Sequence, residues 1–166
     1  MTMAFAPVAA EHDLSRLDSG NIALDRWLAR SALHAEAMRT TRTFVWSVDG
    51  TVVAYYALAA HSVPRADVPS SLGHGSPAVI PAYLLAKIAL AQRLQGRGLG
   101  SSLLGDAMER CLLAGVSAGA RLVVVDAADM RAATFYRARG FTHTLVPGRL
   151  AQKIGDVAEA YLGDPA

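Results

Sequence analysis

Arg93-Leu94-Gln95-Gly96-Arg97-Gly98-Leu99-Gly100-Ser101 is the stretch on which the fold turns. It follows an apolar run, Tyr83 to Leu90, and precedes a segment whose apolar residues recur at helical spacing from Leu99 to Ala118. Alternating glycines let a backbone turn sharply and approach a ligand closely, because no Cβ intervenes. The helix that follows leaves its first N–H groups unpaired and carries partial positive charge at that end. Strand, glycine loop and helix start together make an anion site suited to a pyrophosphate.

Three readings of the loop compete. A Rossmann site requires G-x-G-x-x-G directly after a strand, with an acidic residue ending the next strand. Asp126 meets the second condition, but Ser101 stands where the third glycine belongs, and Gln92 to Gln95 separate the strand end from Gly96. A P-loop is excluded, since no Gly-Lys-Ser/Thr follows. The plainest alternative is a glycine-rich turn that caps a helix and binds nothing.

Working outward, Phe5 to Ala9 reads as a short edge strand, and Asp18-Ser19-Gly20-Asn21 as turn and N-cap chemistry. Leu24, Trp27, Leu28, Leu33 and Met38 recur at helical spacing, predicting one kinked helix or two short ones over 22–39. Thr43 to Val48 and Val52 to Ala60 read as strands of a hairpin turning at Asp49-Gly50. His61 to Ala78, with Pro64, Pro69 and Pro77, reads as a long loop. Val79 to Leu90 is the next strand. The helix after the glycines places Leu103, Ala107 and Cys111 on one face. Leu122 to Val125 reads as a strand buried on both faces, and Met130 to Arg139 as a helix stopped by Gly140. Phe141 to Leu145 and Leu150 to Ile154 are late strands turning at Pro147-Gly148, with a terminal helix over Asp156 to Leu162. The order predicts a mixed α/β domain.

The chain has 166 residues, 52% hydrophobic and 18% charged, with a net charge of +2. That is a globular composition, neither disordered nor strongly cationic, and the expectation is one domain over 1–166. The basic residues other than Lys87 and Lys153 are all arginine. This fits either a codon bias or phosphate contacts through the planar guanidinium. The lone Cys111 excludes an internal disulfide and a multi-cysteine zinc site, and no metal is expected. No signal-peptide pattern opens the chain, and no apolar run reaches about 18 residues. The expectation is a cytoplasmic protein with no membrane span.

The loop's spacing, Arg-x-x-Gly-x-Gly, resembles the acetyl-CoA pyrophosphate signature of the GNAT N-acetyltransferases. Leu84-Leu85-Ala86-Lys87-Ile88-Ala89-Leu90 before it resembles that family's central strand. Ala132-Ala133-Thr134-Phe135-Tyr136-Arg137-Ala138-Arg139-Gly140-Phe141 after it resembles the family's closing motif. Leu24 to Leu28, Thr41 to Val45, Val53 to Leu58 and Val124 to Ala127 are further similar to the GNAT toxins of type II toxin–antitoxin systems. Those enzymes acetylate the α-amine of aminoacyl-tRNA, block translation, and are neutralised by ribbon-helix-helix antitoxins. The likeness runs from about residue 12 to about 145, and the tail from Gly148 departs from it.

The resemblance implies a GNAT acyl-CoA N-acyltransferase fold, a mixed central sheet flanked by helices. It implies acetyl-CoA as co-substrate, a homodimer, and a cytoplasmic toxin acting on aminoacyl-tRNA. Tyr136 would be the general acid at the thiolate, and the N–H of Leu90 the oxyanion donor. Main-chain groups of Ile88, Ala89 and Leu90 would pair with the pantetheine arm, with Phe135 beside it. Amides of Gln95, Gly96, Arg97, Gly98, Leu99, Gly100 and Ser101 would hold the pyrophosphate, with charge from Arg93 and Arg97.

The residues allow the same chemistry on their own terms. A phenol with pKa near 10 is protonated at neutral pH and can donate, although Tyr136 also fits as a core aromatic. The strand Val79 to Leu90 carries no carboxylate, which many GNAT enzymes place there to deprotonate high-pKa amines. An α-amine near 7.7–8.0, lowered further by an ester, needs less help. Asp126, Asp129 and His61 are possible bases. Each has a plainer role as well, in a strand-end turn, a helix N-cap and a loop. Arg26, Arg30, Arg39 and Arg42, with Arg93 and Arg97, either form a basic rim for tRNA phosphates or an ordinary solvated face. Two other functions compete: a small-molecule or protein N-acetyltransferase outside any toxin system, and a non-catalytic acyl-CoA-binding regulatory domain.

Overall fold

The computed structural model describes residues 3–162 and divides into two compact units. Among the described residues, one is built from 3–59 and 86–107, the other from 60–85 and 108–162. The strands β3 (Thr51–Pro64) and β4 (Val79–Leu90) and the helix α4 (Leu99–Ser117) run through both. Among the described residues seven strands form a mixed sheet accompanied by helices, as the sequence predicts.

In the first unit, β1 (Ala6–Pro7) pairs antiparallel with β2 (Arg42–Val48), which pairs antiparallel with β3 from Arg42↔Leu58 to Val48↔Thr51. The hairpin turns where Asp49 and Gly50 both take positive φ, 51° and 80°, the geometry whose twist matches the flanking strands. The helical stretch resolves into two helices. Asn21 caps α1 (Ile22–Arg30) by accepting from the Leu24 N–H at 3.2 Å. At Ser31 the backbone leaves helical geometry, and α2 (Ala32–Ala37) follows at once. Leu28, Val45 and the run Val52 to Ala57 are buried. The Tyr55 hydroxyl donates to the Leu24 carbonyl at 2.6 Å, and Tyr56 donates to the Asp106 carboxylate.

In the second unit the remaining parts of β3 and β4 continue into β5 (Leu122–Asp126), β7 (Arg149–Lys153) and the edge strand β6 (Thr142–His143). β4 and β5 are parallel from Ala82↔Leu122 to Leu85↔Val125, while β5 and β7 are antiparallel from Leu122↔Lys153 to Asp126↔Arg149. Asp129 caps α5 (Met130–Arg137), accepting from the Ala132 N–H at 2.8 Å, and Gly140 follows the helix at φ +95°. The last described element is α6 (Ile154–Leu162).

Two predicted stretches differ. His61 to Ala78 is not a plain loop: β3 runs on to Pro64, a 3₁₀ turn spans Arg65–Asp67, and α3 covers Ser70–Gly73. Its Val63, Val68 and Leu72 enter a core with Ile80, Leu122, Val124 and Ala151. The Arg65 guanidinium donates to the Ser76 carbonyl at 2.7 Å and holds the excursion closed. The strand predicted over Phe141 to Leu145 shortens to Thr142–His143, because Phe141 is drawn back to the Tyr136 carbonyl and the Leu145 N–H donates to Asp67.

Candidate active site

In the first unit β4 ends at Leu90, and the Ala91 N–H donates to the Val53 carbonyl at 2.8 Å. A 3₁₀ turn, Gln92–Leu94, then buries Leu94 as an anchor. Gly96 and Gly98 take φ +76° and +78°, and α4 begins at Leu99. A Cβ at either glycine would meet no atom within 4 Å. Glycine is therefore required there by backbone geometry, and the space in front of the loop is open, as a bound pyrophosphate needs. Gly100 lies within α4, without positive φ.

Gln95 plays a part that the loop reading missed. Its N–H donates to the Gln92 carbonyl at 3.1 Å, so that amide is already engaged. Its side chain donates to the carbonyls of Leu90 at 2.8 Å and Ser19 at 3.0 Å, and so latches the loop to the end of β4. Gln92 works alongside it, donating from Nε2 to Asp18 at 2.8 Å. The cradle is thus left to amides from Gly96 onward. The β4–β5 ladder ends at Leu85↔Val125, while β4 continues to Leu90 and carries Ile88 and Ala89 beyond that pairing.

The arginines divide. Arg26, Arg30, Arg39, Arg93 and Arg97 are exposed. Arg42 is held by Glu36 at 3.0 Å, and the second oxygen of the same carboxylate accepts from the Thr43 N–H. Arg42 therefore braces α2 against β2. Asp25, the other acid of this region, is turned onto Ser19 and accepts from its N–H and, at 2.6 Å, its hydroxyl. Neither carboxylate is left facing the exposed arginines alone.

In the second unit Tyr136 is buried on α5, edge-on to Phe135 at 5.4 Å and to Phe141 at 5.5 Å between ring centroids. Burial pushes its phenol up to about 12, so it holds its proton throughout the physiological range. Phe135 is half-buried, with the Arg139 guanidinium 3.8 Å over its ring.

The three possible bases are each engaged. Asp129 is the α5 cap. Asp126 pairs across the β5–β7 ladder with Arg149, Nε to Oδ1 at 2.8 Å and Nη2 to Oδ2 at 3.0 Å. That hydrogen bonding holds its carboxyl below the ordinary carboxylate range. The remaining guanidinium nitrogen, Nη1, lies 3.4 Å from His61 Nε2. A guanidinium only donates, so Nε2 presents its lone pair and the proton of neutral His61 sits on Nδ1. Burial first, and Arg149 second, lower the His61 pKa. Arg149 escaped the sequence reading because nothing local marks it; only the β5–β7 register sets it opposite Asp126.

No cluster of three or more potential metal ligands occurs among the described residues, and none of their helices is long and apolar enough to cross a membrane.

Residues 39–143 match the acetyltransferase (GNAT) domain, a span that includes β4, the glycine loop and Tyr136. Over 124 residues the chain is 41% identical to the tRNA-acetylating toxin of Mycobacterium tuberculosis, covering 75% of each protein. Among solved structures, AtaT complexed with acetyl-methionyl-tRNA superposes with a TM-score of 0.88 at 24% identity, covering 96% of this chain and 99% of that one. A mutant AtaT toxin bound to the C-terminus of the antitoxin AtaR and to acetyl-CoA superposes with a TM-score of 0.81 at 22% identity, covering 96% and 98%. At these identities the two structures establish the shared fold.

Proposed function

Because this chain belongs to the GNAT acetyltransferase family, we propose that it moves an acetyl group from acetyl-CoA to the α-amine of an aminoacyl-tRNA, as the toxin of a toxin–antitoxin pair that blocks translation. The observation that carries this reading is the 41% identity to a tRNA-acetylating toxin over three-quarters of the chain.

The pyrophosphate of acetyl-CoA lies against the amides from Gly96 to Ser101 at the start of α4, with Arg93 and Arg97 adding charge and Gln95 holding the loop in shape. Main-chain groups of Ile88 to Leu90 pair with the pantetheine arm, and Phe135 lies beside it. The neutral α-amine attacks the thioester carbonyl, forming a C–N bond while the carbonyl becomes an oxyanion stabilised by the Leu90 N–H. The C–S bond then breaks. Tyr136 gives its proton to the departing thiolate and regains one from solvent, to which the amine's surplus proton leaves. Asp126, Asp129 and His61 are engaged elsewhere, which suits an amine that arrives unprotonated.

The RNA is held by the exposed Arg26, Arg30, Arg39, Arg93 and Arg97, with Arg42 left to its ion pair. A homodimer extends this surface, a small ribbon-helix-helix protein is the antitoxin, and the setting is cytoplasmic.

The test is transfer of labelled acetyl from acetyl-CoA to a panel of charged tRNAs. Replacing Arg26, Arg30 and Arg97 by alanine should raise the KM for tRNA and lower the slope of its salt dependence by about 2–3, since each lost phosphate contact releases fewer counterions. No transfer to any charged tRNA, or efficient acetylation of small amines that ignores Arg26 and Arg30, would overturn the proposal in favour of a small-molecule acetyltransferase.

A further inference from the structure

β4 carries one formal charge along its length, that of Lys87. The residue is half-buried, and its ammonium lies 5.7 Å from the centroid of the Trp27 ring. Trp27 is itself fixed: its ring stacks on Tyr55 at 6.0 Å and 13°, and Tyr55 is pinned through its hydroxyl to Leu24. The indole face attracts the cation and removes much of the freedom of a long side chain. Yet no carboxylate pairs with Lys87 among the described residues. The acids nearest in sequence to Trp27 are engaged, Asp25 with Ser19 and Glu36 with Arg42 and Thr43. A methionine would fill the same volume at no desolvation cost, so a braced cation with no carboxylate in contact is a feature that packing leaves unexplained.

We infer that Lys87, braced by the Trp27 ring, holds the phosphodiester of the 3′-terminal nucleotide that carries the aminoacyl ester. The inference rests on the aminoacyl-tRNA reading and names a contact within it. Lys87 precedes Leu90 by three strand residues, a span of about 10 Å. In the acceptor, the path from α-amine through ester and ribose to the 5′-phosphorus is roughly 8–10 Å when extended. The two lengths match, so an acceptor running back along β4 from the acetyl group beside Leu90 sets its own nucleotide's phosphate within reach of the lysine stem. On α1, Arg30 follows Trp27 by three residues, the spacing of neighbours on one helix face, and both Arg30 and Arg26 are exposed. A free cationic amine, such as a polyamine or a lysine side chain, meets repulsion at the same place.

The experiment compares wild type with Lys87→Met, Lys87→Arg and Lys87→Glu, using charged tRNA as substrate and uncharged tRNA as competitor. Thermal unfolding and acetyl-CoA affinity report on folding. For Lys87→Met the KM for charged tRNA and the Ki of uncharged tRNA should rise together by about tenfold or more, the scale of one charge-assisted hydrogen bond. kcat should stay near wild type, and the salt slope should fall by about one phosphate contact. Lys87→Arg should restore binding, and Lys87→Glu should weaken it further. A KM and salt slope indifferent to Lys87→Met would overturn the inference. So would a loss confined to kcat, or a Lys87→Arg variant as weak as Lys87→Met. Failure of the wild type on every charged tRNA would remove the functional proposal and this inference together. A working wild type with an insensitive Lys87→Met removes this inference alone.

Discussion

Gly98→Ala and Gly50→Ala form a matched pair that isolates what the glycine loop is for. Gly98 has φ +78° and Gly50 has φ +80°, and at neither would an added Cβ find another atom within 4 Å. Each substitution therefore carries only the left-handed backbone penalty, about 1–2 kcal/mol. For a chain of this length that lowers the unfolding midpoint by roughly 2–4 °C per kcal/mol, so the two variants should melt close together and a few degrees below wild type. Their ligand behaviour should part. At Gly98 the methyl group enters the open space before α4, where the pyrophosphate is proposed to lie. Displacing it by the width of a methyl would cost at least one charge-assisted N–H bond, about 1.5–3 kcal/mol, or roughly 10- to 150-fold in affinity. Gly50 sits in the β2–β3 turn and should leave acetyl-CoA affinity unchanged. Calorimetric titration with acetyl-CoA beside thermal unfolding reads both effects. If Gly98→Ala melts like Gly50→Ala and binds acetyl-CoA within twofold of wild type, the loop is a helix-capping turn and the pyrophosphate assignment is wrong. If both variants lose affinity equally, the loss is general destabilisation.

Tyr136→Phe should bind acetyl-CoA nearly as wild type does but turn over about 10²–10⁴-fold more slowly in single-turnover assays; near-normal turnover would move the acid elsewhere. Because burial raises this phenol to about 12, any alkaline loss of activity below pH 11 should persist in other active variants and not track Tyr136. Gly140→Ala should destabilise more than Gly50→Ala, by roughly 2–4 kcal/mol in denaturant unfolding, since strain at φ +95° is joined by a Cβ 2.6 Å from Gln152 Nε2; equal losses would show that Gln152 swings aside freely. Arg149→Gln should raise the His61 pKa, read from imidazole NMR shifts, because a lowering charge goes and Asp126 is left facing the ring. Both groups are depressed in the fold, so His61's share of stability is lost as pH falls below its unfolded value near 6.5, and Asp126's as pH falls through the acid range below about 4.

Local physics made much of this fold legible. Asp49-Gly50 announces its hairpin because two adjacent positive φ values suit few residue pairs, and β4 is bounded at Val79 and Leu90 as its apolar run suggests. The Gly96/Gly98 pair is equally local, since both need left-handed backbone whatever surrounds them. What stayed hidden depends on partners distant in sequence. Arg149 lies beyond the recognisable motifs and acquires its role only when β7 pairs with β5 in the register that sets it against Asp126. Three prolines over 61–78 masked a strand end, a turn and a short helix, whose order comes from Val63, Val68 and Leu72 reaching the core.

Charge shows the same division more sharply. A sequence count treats Arg26, Arg30, Arg39 and Arg42 as equivalent and sets them against Asp25 and Glu36. In the fold Glu36 takes Arg42 and a backbone N–H, and Asp25 takes Ser19. One cation is thereby removed from the candidate RNA surface, and both nearby anions are engaged as well. Lys87, which composition presents as one of two ordinary lysines, is braced on Trp27 without a carboxylate. A net charge of +2 thus leaves room for a local excess of positive charge, which Asp25, bonded only to the neutral Ser19, offsets in part. What an incoming phosphate would meet follows from which carboxylates the fold has already engaged, and that is decided by pairing across elements, which no tally of residue types contains.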